Sequence, residues 1–138
     1  PDYAPAYHNM GSVLNDQGKT GEALVAFKKA LAIKPDYAES YNYMGIVLDG
    51  QRKPREALAA YKKALAIKPD YADAHYNLGN TLQNQGKPEE ALAAYKNALR
   101  INPNFSNASA EMGQCMLKIG KFEEGRSLIQ KTDGSISL

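Results

Sequence analysis

The sequence predicts an all-α fold, a right-handed α-solenoid of antiparallel helix pairs, on three observations. The tetrapeptide Pro-Asp-Tyr-Ala stands at Pro1, Pro35 and Pro69, and a relaxed copy, Pro103-Asn104-Phe105-Ser106, follows at the same 34-residue interval. Within each interval, apolar residues recur twice at helical spacing, as in Tyr41, Met44, Val47 and Leu48, then Ala57, Leu58, Tyr61 and Leu65. A polar turn, Asp49-Gly50-Gln51-Arg52-Lys53, separates the two runs. Helices of about a dozen residues are marginal alone in water, so each hairpin must lay its remaining apolar face on the next.

The elements follow in order along a single domain, residues 1–138, with repeats at 4–37, 38–71 and 72–105, a degenerate capping repeat at 106–132 and a tail at 133–138. Pro54 and Pro88 sit where second helices begin, a place where the missing N–H costs nothing, and Pro35, Pro69 and Pro103 stop those helices. Glu22, Glu56 and Glu90 fall in the first turn, at the positive end of the helix dipole. Gly11, Gly45, Gly79 and Gly113 lie inside first helices, where Gly costs about 1 kcal/mol relative to Ala. Close packing is the expected compensation, with the small Ala23, Ala57 and Ala91 allowing two helices to approach. Seven or eight helices are expected, the fourth unit being the least regular.

In family terms the first unit reads Tyr7-x2-Met10-Gly11-x2-Leu14, then Ala23-x3-Phe27, then Pro35. The second reads Tyr41-x2-Met44-Gly45-x2-Leu48, Ala57-x3-Tyr61 and Pro69, and the third His75-x2-Leu78-Gly79-x2-Leu82, Ala91-x3-Tyr95 and Pro103. This pattern resembles the tetratricopeptide repeat. The fourth unit keeps Met112-Gly113-x2-Met116 but has Ser109 for the aromatic, Gly125 for the small Ala and no closing Pro. The resemblance implies a superhelix that binds an extended peptide or partner protein in its concave groove.

Composition narrows the function classes. Lys and Arg number 17 against 15 Asp and Glu, a net charge of +2, too small for the field of a dedicated nucleic-acid binder. The single cysteine, Cys115, excludes an internal disulfide and is expected in the core beside Met116. No apolar run approaches the ~20 residues needed to cross a bilayer, and Pro1-Asp2-Tyr3-Ala4-Pro5 is not a signal peptide. A soluble chain in the cytoplasm is expected, with no membrane and no nucleic-acid partner. His75 takes the core position held by Tyr7 and Tyr41, and His8 has no second ligand, so no metal, cofactor or catalytic role is expected of either. The chain is read as a binding scaffold and not as an enzyme.

The first helices should line the concave wall with the residues left over from the core stripe. The candidate peptide-binding residues are Asn9 and Ser12 in unit one, and Asn42, Tyr43, Ile46 and Asp49 in unit two. Unit three adds Tyr76, Asn77, Asn80, Gln83 and Asn84, and unit four Glu111 and Gln114. His8, Asn15, Glu39, Asp73 and Asn107 belong to the same expected wall. A side-chain amide both donates and accepts, so a row of amides can pair with peptide main chain. Asn9 and Asn77, at equivalent places, resemble the asparagine ladder of the superhelical repeats in O-linked N-acetylglucosamine transferases, interrupted here by Tyr43 and Glu111. The carboxylate clamp of chaperone-binding members would fall at His8, Ser12, Tyr43, Asp73 and Asn77, where no basic clamp is present. Lys28, Lys29 and Lys34, with Lys62, Lys63 and Lys68, form a convex stripe read as a solubilising face. The opening Pro-Asp-Tyr-Ala has the form of a junction after a helix. The expectation is therefore a piece of something longer, either an adaptor or the substrate-recruiting arm of an enzyme such as a glycosyltransferase, with self-association through an exposed terminal repeat.

Overall fold

The computed structural model describes residues 3–121. Seven α-helices run in chain order: α1 (Ala4–Asp16), α2 (Thr20–Ile33), α3 (Ala38–Gly50), α4 (Pro54–Ile67), α5 (Ala72–Asn84), α6 (Pro88–Ile101) and α7 (Ser106–Met116). The chain continues past α7 through Leu117–Lys121 and kinks at Gly120, whose φ is 84°. There is no strand among the described residues. The expected eighth helix, the end of the expected capping repeat and the tail fall outside the described residues.

Two kinds of punctuation set the helix ends. Pro54 and Pro88 open α4 and α6, and the residues before Pro35, Pro69 and Pro103 leave helical geometry, with Lys34 at φ −128° and Lys68 at φ −131°. Helices α1, α3 and α5 each end in a Schellman turn: the Lys19, Lys53 and Lys87 N–H groups donate to the Leu14, Leu48 and Leu82 carbonyls at 2.8, 2.9 and 2.9 Å. That turn needs a left-handed residue, supplied by Gly18 (φ 79°) and Gly86 (φ 76°). At the matching place in unit two the residue is Arg52, held at φ 61°.

Gly11, Gly45 and Gly79 are explained by what lies over them, whereas Gly113, expected in the same role, is exposed and meets no such contact among the described residues. A Cβ on Gly11 would come within 2.7 Å of the Phe27 ring, and one on Gly79 within 2.6 Å of Tyr95. Gly45 faces the Tyr61 ring in the same way. The sequence reading set small alanines against these glycines, but the partner is the aromatic of the second helix, itself fully buried. Ala23, Ala57 and Ala91 are buried beside it and let the ring reach the glycine backbone.

Hairpins then stack. Leu24 of α2 packs on a cluster of Leu48, Ala57, Ala60 and Tyr61, and Leu58 of α4 packs on the cluster built around Leu82, Ala91 and Tyr95. Cys115, fully buried in that cluster, is the core residue expected, and desolvation pushes its thiol pKa up. No described helix is long and apolar enough to cross a membrane.

Candidate functional site

The stacking leaves one face of α1, α3, α5 and α7 without a covering helix, and the candidate residues divide into a wall and a floor. Asn9, Ile46, Asn84 and Gln114 are exposed, and Ser12, Tyr43, Asp49, Tyr76, Asn77, Asn80, Gln83 and Glu111 are half-buried.

The floor is a series of bridges between consecutive repeats. The Asn77 Nδ2 amide donates to Asn42 Oδ1 at 3.0 Å, and Asn42 Nδ2 donates to the Tyr71 hydroxyl at 3.2 Å. Asn42 is only 2% exposed, so it is corrected from a peptide-gripping amide to a buried joint: both ends of its amide are already spent. His8 is corrected likewise. It is 9% exposed, places Nδ1 2.9 Å from Ser40 Oγ, stacks on Tyr37 with centroids 5.0 Å apart and meets the edge of Tyr43 at 4.9 Å. Desolvation holds its pKa below the usual histidine value, with nearby Glu39 acting in the opposite direction. Tyr76 lies against Phe105 with ring centroids 4.8 Å apart and planes tilted by 31°, so both expected contact rings, Tyr43 and Tyr76, also serve packing. His75 is half-buried, as are Tyr7 and Tyr41 at the equivalent places, with its Nδ1 turned inward and its Nε2 donating to the Pro69 carbonyl at 3.0 Å.

Deeper in the floor, the Tyr61 hydroxyl donates to Asp49 Oδ2 at 3.0 Å and Thr81 Oγ1 donates to the same oxygen. The Tyr95 hydroxyl lies 2.6 Å from Asn80 Oδ1 and 2.8 Å from Gln83 Oε1. Burial raises the pKa of Tyr61 and Tyr95 above the normal phenol range and that of Tyr71 to about 12. Asp49, Asn80 and Gln83 thus present part of their polar capacity to the wall and spend the rest on the second-helix tyrosines. Thr81 and Ser40, 1% and 0% exposed, were missed in the sequence. His8 to Ser40 and Asp49 to Thr81 both span 32 residues, but the two pairs stand at different repeat positions, seven residues apart along the first helix, so no repeated motif marked Ser40 or Thr81 in the sequence.

Among the described residues no group of three or more His, Cys, Asp or Glu could hold a metal ion. The arrangement offers noncovalent contact: exposed amides, two aromatic edges and an exposed aliphatic, Ile46.

Stacked helical hairpins with one face of the first helices left open define the class as a helical-repeat solenoid, and the comparisons name the family. Tetratricopeptide repeat models match residues 2–70 and 72–105, and a TPR repeat model matches residues 55–86. The chain belongs to the tetratricopeptide repeat family. No curated protein matches it at a significant level. Among solved structures, a crystal structure of MamA is 26% identical over 95% of this chain and 77% of that one, with a TM-score of 0.83. The first TPR of Spaghetti (RPAP3), bound to the HSP90 peptide SRMEEVD, is 22% identical over 84% of this chain and 92% of that one, at a TM-score of 0.81. An O-GlcNAc transferase mutant of Thermobaculum terrenum is 24% identical over 82% of this chain, at a TM-score of 0.76; the match spans 22% of that chain. The last two likenesses show the fold alone.

Proposed function

We propose that the chain is a scaffold that holds an extended segment of another protein along the open face of α1, α3, α5 and α7. The observation that carries this reading is Ile46, an aliphatic side chain left 36% exposed in the middle of that face, with Tyr43 beside it and amides on the flanking helices. Large apolar side chains flanked by polar groups that can pair with main chain are the composition of a recognition surface. The similar structure of the first TPR of RPAP3, which is bound to an HSP90 peptide, supports a peptide partner in general terms. The alternative of a recruiting arm of a larger enzyme drew on the junction-like opening Pro-Asp-Tyr-Ala and, for its glycosyltransferase form, on the likeness of Asn9 and Asn77 to an asparagine ladder. With Asn77 donating to Asn42, only Asn9 stays fully available, so that alternative has the weaker support.

The test is a peptide-display selection against the purified chain, followed by titration of the selected sequences against Asn9→Ala, Ile46→Ala and Asn84→Ala. Each of these residues is exposed, so stability should change by less than about 0.5 kcal/mol, while an interface anchor costs ~2 kcal/mol or more in affinity. Unchanged affinity in all three, with loss on Lys62→Ala and Lys63→Ala, would assign binding to the convex face instead.

A further inference from the structure

The charge of the chain is divided between its two faces. Helices α1, α3, α5 and α7 carry Asp16, Glu39, Asp49, Asp73 and Glu111 and not one Lys or Arg. The second helices α2, α4 and α6 carry seven Lys or Arg against four Glu. The net charge of +2 therefore conceals a concave wall of one sign. Four of its carboxylates sit close enough to the floor rings to act on them electrostatically: Glu39 and Asp73 on Tyr71, Asp49 on Tyr61 and Glu111 on Tyr95. Lys34 and Lys68 lie over the rings of Tyr37 and Tyr71, Arg52 in the α3–α4 turn shares a surface cleft with Asp49, and Lys118, two residues past α7, acts on Cys115. His8, with its depressed pKa, adds no positive charge at neutral pH. A concave surface lined by one sign over a low-dielectric floor concentrates the opposite charge.

Resting on the groove reading above, we propose that the occupant of the concave face is a cationic segment: an extended stretch bearing Lys or Arg, with an aliphatic side chain seated at Ile46. The wall carboxylates select it by charge, and Ile46 fixes its register. An acidic segment meets like charge from every first helix and is rejected.

The test uses the intact chain and three fluorescent peptides of one length. They share a Ser background and a central Leu, and differ only in carrying Lys, Ser or Glu at alternate positions. The Lys peptide is expected to bind tightest, the Glu peptide weakest, and the preference to shrink between 50 and 300 mM salt. The isosteric variant E39Q/D73N/E111Q leaves the Asp49 joint intact and should weaken Lys-peptide binding about fivefold or more, the sum of three modest exposed-pair effects. The variant K28Q/K29Q on the convex face should change it less than about twofold. If the Ser or Glu peptide binds at least as well as the Lys peptide and loses affinity on Ile46→Ala, the groove stands and the cationic selection is overturned. If none of the three binds, or binding is indifferent to Ile46→Ala and to the amide variant, the groove reading falls and the selection with it.

Discussion

Gly45 is the residue at which packing is most sharply specified, because its missing side chain is the space occupied by Tyr61. Gly45→Leu should destabilise the chain by ~1–3 kcal/mol or more, since the ring is fully buried and has nowhere to go. Thermal unfolding measures this, and a rise in Tm would refute the contact. Arg52 gives the opposite sign. A non-glycine in left-handed geometry costs about 1–2 kcal/mol, and glycine returns part of that gain as backbone entropy. Arg52→Gly should therefore stabilise by up to about 1 kcal/mol, and a drop in denaturation midpoint would contradict the strain argument. His8 makes stability depend on pH. Its folded pKa lies below the unfolded value of about 6.5, so the unfolded chain binds the extra proton. The His8 contribution is present above about pH 6.5 and is lost as pH falls through that value toward the lower folded pKa. Unfolding midpoints from pH 8 to pH 5 should decline, and His8→Asn should remove part of the decline.

At the scale of the helix, the sequence made most of the architecture readable. Helices open at Ala4, Ala38, Ala72 and Ser106, in step with the 34-residue interval, because proline and the Schellman turns are local signals that tertiary packing does not overrule. The inner face was harder to read. A helical wheel separates core from open face but does not show how far the next hairpin reaches across, and that reach decides the fate of Asn42 and His8. Both lie one position from exposed or half-buried residues, Tyr43 and Asn9, yet both are bonded to the following repeat, through Asn77 and Ser40. Asn42→Ala should cost about 1–3 kcal/mol because it leaves the Tyr71 hydroxyl and the Asn77 amide without their partner. Asn84→Ala, on the exposed wall, should cost almost nothing. Equal effects of the two substitutions on the urea midpoint would show that the bridge does not join the repeats.

For the whole molecule, the first hairpin differs from those that follow. Val13 is 52% exposed while its equivalents Val47, Thr81 and Cys115 are at most 1% exposed, and Met10 is 51% exposed. In later units this surface is covered by the preceding second helix. Apolar faces of that kind associate, so the purified chain is expected to form a concentration-dependent dimer that Val13→Asp abolishes. Sedimentation equilibrium that fits a monomer at all concentrations would contradict it. Charge division is the other whole-molecule property, and it bears on the central claim that the concave wall is the working surface. The most direct measurement is an NMR titration of the labelled chain with the Lys-bearing peptide. The account predicts shifts concentrated at Asn9, Ser12, Ile46, Asn80 and Asn84, and little change at Lys28, Lys29, Lys62 and Lys63. Shifts gathered on those convex lysines, with the wall amides unmoved, would contradict it.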